Sequence, residues 1–167
     1  MSENTLIFLV GFMGAGKTTV GRELADHLKY DFLDLDEIIA SRVGKTVQEI
    51  FSEDGEPHFR SLESEAIRSC GTLARSVVAL GGGAYVQEEN RVLLRTIGKT
   101  VWLDCPLEIC LSRISGDKSR PLLSDESRMQ ALAAQRRESY AQADLVIQTG
   151  GETARQLAIE IAEMLEI

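Results

Sequence analysis

The sequence predicts an α/β domain built on a parallel sheet. Short apolar runs typical of strands alternate with stretches in which apolar residues recur at helical spacing, the pattern of consecutive βαβ units. A glycine-rich segment also follows the first of these runs directly. The chain has 167 residues, of which 44% are hydrophobic, and this suits one compact domain with a single core. We therefore expect residues 1–167 to form one domain.

Five apolar runs predict the strands. They are TLIFLV (Thr5 to Val10), DFLD (Asp31 to Asp34), SVVAL (Ser76 to Leu80), TVWLD (Thr100 to Asp104) and DLVIQ (Asp144 to Gln148). Helix-periodic stretches follow the first strand and close the chain. Between the second and third strands, two further amphipathic helices flank the turn EDGEP, which contains Gly55 and Pro57. This helix pair is longer than a simple crossover requires, so it predicts a substrate-binding subdomain over about residues 34–62.

Charge and composition limit the possible partners. The net charge is -8, from 26 acidic and 18 basic residues, so the average field repels nucleic acid and anionic membranes. The sequence opens without a targeting pattern and has no run of apolar residues long enough to span a bilayer. We expect a cytoplasmic protein, and a monomer, because no large exposed apolar helix face stands out. The three cysteines and two histidines lack metal-ligand spacing and are interpreted as structural.

The segment from Gly11 to Thr18 reads GFMGAGKT and fits the phosphate-loop pattern G-x-x-x-x-G-K-[ST]. It lies between a predicted strand and a predicted helix, as this motif requires. Its glycines let backbone N–H groups face phosphate oxygens, the helix N-terminus favours anions, and Lys17 adds a charge. Thr18 offers a hydroxyl to magnesium. The predicted nucleotide-binding residues of this segment are Gly14, Ala15, Gly16, Lys17, Thr18 and Thr19.

Acidic residues and glycines follow the next two strands. Asp34 and Asp36 stand two apart at the end of the second strand, where an extended backbone would point both carboxylates to the same side. The alternative is an acidic turn that caps a helix beginning at Glu37. The third strand ends in Gly81–Gly83, where a small ligand can lie against the backbone, although a tight turn explains three glycines equally well.

One further acid and several arginines are candidates for the site. Asp104 ends the fourth strand, and it is either a magnesium residue or a favourable charge at the start of the helix after it. Arg60, Arg136 and Arg137 are cations that an acidic chain has placed near the predicted site, although a solvated surface charge is the commoner role for each. The polar segment over about residues 115–125 predicts a lid that carries Arg120 over the phosphates and excludes water.

Six motifs in this order resemble the shikimate kinases, within the nucleoside-monophosphate-kinase-like group of P-loop NTP hydrolase folds. They are GFMGAGKTTVG, DLDEII, IFSEDGEPHFRSLE, ALGGGA, SRPLL and QRRESY, and they cover nearly the whole chain. The resemblance implies a three-layer α/β/α sandwich with sheet order 2-3-1-4-5. It also implies transfer of the γ-phosphate of ATP to the 3-hydroxyl of shikimate, in the route to chorismate and aromatic amino acids.

The resemblance also implies roles for individual residues. On the nucleotide side, Lys17 and Thr18 would hold phosphates and Mg²⁺, and Asp34 would contact the magnesium shell, mostly through water. Arg113 would lie near adenine, and Arg120 would reach the transferring phosphate from the lid. On the acceptor side, the residues are Asp36 as hydroxyl partner and candidate base, Arg60 and Arg136 as carboxylate clamps, and Gly81, Gly82 and Gly83 beneath the ring.

The loop before the last helix departs from the family pattern. Such kinases commonly carry an Asp-Thr or Asp-Ser pair and a proline there, whereas this chain has Gln148-Thr149-Gly150-Gly151, which leaves the adenine contacts open. Three alternatives compete with a shikimate kinase. A gluconate kinase has a similar loop and fold, but the paired arginines and the three glycines favour a compact cyclic acid. A GTP-dependent switch needs an N-K-x-D motif that the chain lacks, and the third alternative is a non-catalytic nucleotide- or shikimate-binding relative.

Overall fold

The computed structural model describes residues 5–115 and 126–167 and contains a five-stranded sheet in which every strand pair is parallel. The strands are β1 (Leu6–Val10), β2 (Asp31–Asp34), β3 (Ser76–Ala79), β4 (Lys99–Asp104) and β5 (Leu145–Gln148). Their order is β2-β3-β1-β4-β5, which confirms the predicted order 2-3-1-4-5. All five predicted strands form, β2 with the predicted bounds and the others with one end shifted by one residue.

Helices connect consecutive strands. They are α1 (Lys17–Leu28), α2 (Leu35–Val43), α3 (Val47–Asp54), α4 (Glu56–Cys70), α5 (Glu88–Ile97), α6 (Leu107–Ile114), α7 (Glu126–Tyr140) and α8 (Ala154–Met164), with a short 3₁₀ turn at Ala84–Val86. Every residue of β1 and β3 is buried. Because successive strand side chains point to opposite faces, helices must cover both faces of the sheet. This explains why the central strands read as continuous apolar runs.

The start of α2 agrees with the second sequence interpretation, an acidic cap, but the helix begins earlier than expected. Asp34 ends β2 and caps α2, since its Oδ1 accepts from the backbone N–H groups of Asp36 at 2.9 Å and Glu37 at 3.3 Å. The helix therefore begins at Leu35, two residues before the predicted start. Asp36 lies in the first turn of α2, so the two carboxylates do not project from one extended strand. The physical reason is the strong preference of aspartate for the N-cap position.

Two helices follow α2, as the sequence predicts for residues between β2 and β3. Thr46 and Glu49 form a capping box that starts α3. Gly55 separates α3 from α4 with φ +85°, which confirms the predicted turn. The predicted lid stays a prediction, because residues 116–125, including Arg120, lie outside the described residues. Within the described ranges, no helix is long and apolar enough to cross a membrane.

Candidate active site

The phosphate loop joins the end of β1 to the start of α1. Gly14 and Gly16 have φ values of +79° and +95°, in the left-handed region that favours glycine. Gly16 is the N-cap of α1, and in the described ranges no side chain caps this end and no acidic residue lies in its first turn. The N–H groups and the positive end of the helix dipole are thus left for an anion.

Lys17 folds back over the loop that precedes it. Its Nζ donates to the backbone oxygens of Gly11 at 2.8 Å and Phe12 at 3.0 Å. These bonds hold the ammonium group at the loop itself, where a phosphate would take over as its partner. The predicted position of this cation is therefore consistent with a role in binding phosphate.

The residues predicted to approach magnesium lie side by side. The Thr18 hydroxyl donates to Oδ2 of Asp34 at 3.3 Å. The other oxygen of Asp34 is held by the start of α2, so the carboxylate has a fixed orientation. Hydroxyl and carboxylate oxygens are the donor types that Mg²⁺ prefers.

A cavity of about 280 Å³ opens beside the phosphate loop. Its lining includes Ala15, Gly16, Thr19, Arg113, Thr149 and Glu152. Arg113 donates from Nη1 to the backbone oxygen of Gly14 at 3.0 Å, so its guanidinium stands at the edge of this cavity. The buried Thr149 hydroxyl has no hydrogen-bond partner among the described residues. The cavity therefore borders the phosphate loop and has polar groups in its lining.

The three glycines after β3 leave space for three charged side chains. A Cβ at Gly81 would lie 3.0 Å from Oδ1 of Asp36, and one at Gly82 would lie 2.9 Å from Nη1 of Arg136. A Cβ at Gly83 would lie 2.5 Å from Nη1 of Arg60. The structure thus brings together all the residues predicted for the acceptor, and the glycines serve close approach.

Glu63 is a buried carboxylate that the sequence analysis did not single out. Its side chain is 0% exposed, and its Oε1 accepts from Nη1 of Arg60 at 2.9 Å. Burial raises the pKa of Glu63 to about 7, and the nearby charge of Asp36 adds to this shift while Arg60 opposes it. The sequence signal was its position three residues after Arg60 on the same helix face.

Aromatic and polar contacts fix the surroundings of Arg136. Its guanidinium lies over the Phe12 ring, 5.9 Å from the centroid. The Tyr140 hydroxyl donates to the backbone oxygen of Gly82, and burial raises the pKa of Tyr140 to about 12. Arg91 donates to the backbone oxygens of Tyr85 and Val86 and so stabilises the turn that follows the three glycines.

Asp104 makes contacts that the sequence did not suggest. It lies just before α6, whose N-cap is Pro106. Both of its oxygens accept from Arg137, and one also accepts from Gln148. Sequence reasoning noted Arg137 only as a cation, because the pairing joins residues far apart in the chain.

A phosphate loop and a carboxylate-lined, arginine-rich pocket at one sheet edge define the class of phosphate-loop kinases that act on small molecules. The profile of the shikimate kinase family matches residues 13–166. Shikimate kinase of Geobacter sulfurreducens is 49% identical over 164 residues, covering 96% of this chain and 91% of the relative. That of Moorella thermoacetica is 47% identical over 162 residues, with coverage of 96% and 94%. The chain belongs to the shikimate kinase family.

A solved structure supports the same assignment. Shikimate kinase from Acinetobacter baumannii, in complex with shikimate, superimposes with a TM-score of 0.90 at 40% sequence identity. The match covers 98% of this chain and 93% of that one. The described fold is therefore that of the family.

Proposed function

We propose that this chain transfers the γ-phosphate of ATP to the 3-hydroxyl of shikimate, giving shikimate 3-phosphate and ADP. The observation that carries the proposal is the meeting of Asp36, Arg60 and Arg136 at the glycine turn. Shikimate is a small ring with one carboxylate and vicinal hydroxyls. Planar guanidinium groups bind the carboxylate through paired hydrogen bonds, and a carboxylate accepts from the hydroxyls. The relative from Acinetobacter baumannii, solved with shikimate, supports this choice of acceptor.

The phosphate loop binds the nucleotide in this reaction. Its backbone N–H groups and the start of α1 bind the phosphates, and Lys17 exchanges its loop carbonyl partners for phosphate oxygens. The cavity beside Arg113 receives adenine. Arg120, outside the described residues, stays a prediction, as do the monomeric state and the cytoplasmic location.

The donor set at Thr18 and Asp34 fits Mg²⁺. Both offer hard oxygen atoms, and the described residues contain no cluster of three or more metal-ligating side chains. This suits an ion that keeps several waters and binds through one or two protein oxygens together with substrate phosphates. When bound, Mg²⁺ supplies neutralising charge on the phosphate oxygens. Asp34 and Thr18 would hold the ion beside the phosphate loop.

The acceptor side aligns the attacking hydroxyl. Arg60 and Arg136 fix the ring through its carboxylate, and Asp36 accepts a hydrogen bond from the hydroxyl that attacks. Phosphoryl transfer passes through a loose transition state, which needs alignment and charge neutralisation more than a strong base. Asp36 therefore mainly orients the hydroxyl. It takes up the hydroxyl proton as the new P–O bond forms and the bond from the γ-phosphorus to the departing ADP oxygen breaks.

The test is ADP production with ATP and Mg²⁺, measured without acceptor, with shikimate and with gluconate. We expect ADP release that depends on shikimate and is absent with gluconate. A preparation of Lys17→Ala, purified in the same way, controls for contaminating kinases. Release with gluconate but not shikimate would support the gluconate kinase alternative, and nucleotide binding without turnover would support a binding protein.

A further inference from the structure

The carboxylate of Asp104 joins three elements at the end of the sheet. Asp104 is the last residue of β4 and only 6% exposed. Arg137 on α7 donates to it through Nη1 and Nη2, each at 2.8 Å, in a paired geometry. Gln148 at the end of β5 donates to Oδ2 at 3.0 Å. A helix and two strands are thus tied to one buried carboxylate.

The middle of α7 is only partly packed. Of its 15 residues, Met129 and Tyr140 are buried near its two ends. Leu132 and Ala133, in the middle, are partly buried and pack against the core. A cavity of about 420 Å³, lined by Ala133, Ala134 and Trp102 among others, separates the middle of the helix from β4. The guanidinium of Arg137 crosses this gap and lies over the Trp102 ring, 4.9 Å from its centroid. The polar link therefore supplements the partial packing of the helix here.

The helix that this link holds also carries Arg136. Successive residues on a helix point about 100° apart, so Arg136 and Arg137 face different parts of the site. Arg136 faces Gly82, and Arg137 faces Asp104. Any rotation or shift of α7 that broke the second contact would move the first.

We propose that Arg137 is a positioning residue: by pairing with Asp104 it fixes α7 so that Arg136 meets the acceptor carboxylate. The proposal rests on the proposed function for the identity of the acceptor. Gln148 completes the arrangement, because its amide donates a further hydrogen bond to the same carboxylate. Arg137 itself touches no part of the acceptor.

The first experiment compares Arg137→Ala and Arg137→Lys with the wild type and with the control Arg155→Ala, which removes an exposed arginine from α8. We expect Arg137→Ala to raise the KM for shikimate at least fivefold while the KM for ATP stays within twofold. Arg137→Lys should restore part of the loss, because one ammonium replaces a paired contact. Equal rises in both KM values, or no rise in either, would overturn the proposal.

A double-mutant cycle separates positioning from direct contact. Asp104→Asn and the Asp104→Asn, Arg137→Ala double variant should raise the KM for shikimate no further than Arg137→Ala does, because the two groups act as a unit. Effects that multiply would show that Arg137 acts independently of Asp104 and would overturn the proposal.

A fluorescence measurement tests the same geometry without catalysis. Trp102 is the single tryptophan of the chain and is 6% exposed beneath Arg137. Acrylamide quenching of Trp102 should increase in Arg137→Ala and stay unchanged in Arg155→Ala. If the wild type shows no ADP release with shikimate, the proposed function fails while quenching still tests the attachment of α7. Unchanged quenching in Arg137→Ala, at an unchanged melting temperature, would overturn the proposal.

Discussion

Substituting Gly83 by alanine should displace Arg60 while leaving the fold in place. Gly83 has φ -94° and ψ -12°, which alanine adopts without strain. The added Cβ would lie 2.5 Å from Nη1 and 2.6 Å from Cζ of Arg60, closer than carbon atoms tolerate. The guanidinium stands at the end of a flexible side chain, so it moves and the backbone stays.

Gly83→Ala should lower the activity much more than the stability. Losing the contact between a guanidinium and the acceptor carboxylate costs about 1.5–3 kcal/mol, which corresponds to a roughly 10- to 160-fold fall in kcat/KM for shikimate. The buried Glu63 loses its partner, but a carboxyl with a pKa of about 7 takes up a proton at little cost near neutral pH. The free energy of unfolding should therefore change by about 1 kcal/mol or less. Alanine offsets part of any loss, because it lowers the conformational entropy of the unfolded chain relative to glycine.

Steady-state kinetics with varied shikimate, together with urea unfolding, measure both effects. Gly71→Ala is the matched control, because Gly71 caps α4 with φ -60° and its added Cβ would come no closer than 3.3 Å to another residue. A Gly83→Ala variant with normal KM and kcat would show that Arg60 does not contact the acceptor. A fall in activity matched by a large loss of stability would refute the claim that the glycine serves the site.

The remaining predictions concern four single side chains. Asp36→Asn and Arg136→Ala should each lower kcat/KM for shikimate well over tenfold, a loss of at least about 1.4 kcal/mol, in enzyme with normal circular dichroism. Lys17→Ala should abolish ADP release while thermal melting changes little, because its bonds to loop carbonyls are partly exposed. Glu63→Gln should alter the pH dependence of stability. The pKa of Glu63 rises from 4.5 in the unfolded chain to about 7 in the folded one. The stabilisation from its protonated carboxyl is therefore complete below the unfolded pKa and is lost as the pH rises through the folded pKa. Urea unfolding at about pH 5 and about pH 8 should show the wild type losing up to roughly 3 kcal/mol more than the variant.

The sheet and the phosphate loop were predictable because their signals are local. Continuous apolar runs identify strands buried on both faces, and the loop motif depends on residues adjacent in sequence. The turn at Gly55 was predicted for the same reason. The start of α2 was placed wrongly, since Asp34 as an N-cap competes with its role as a strand residue, and the sequence alone does not decide between them.

The parts of the site that the sequence did not predict depend on contacts between distant segments. Glu63 is important because burial perturbs its pKa, and burial follows from the packing of α4 against the glycine turn. The link from Arg137 to Asp104 and Gln148 joins three elements that come together only in the folded sheet. Charge and residue type indicated candidates, but the partners required the structure.

The position of the acceptor hydroxyl relative to the terminal phosphate is the most direct test of the proposed chemistry. A crystal structure with shikimate and a non-hydrolysable ATP analogue would measure it. The 3-hydroxyl should lie between Lys17 and Asp36, about 3–3.5 Å from the γ-phosphorus and in line with the bond that breaks. A ring bound away from Arg60 and Arg136, with its hydroxyl out of reach of that phosphate, would contradict the mechanism.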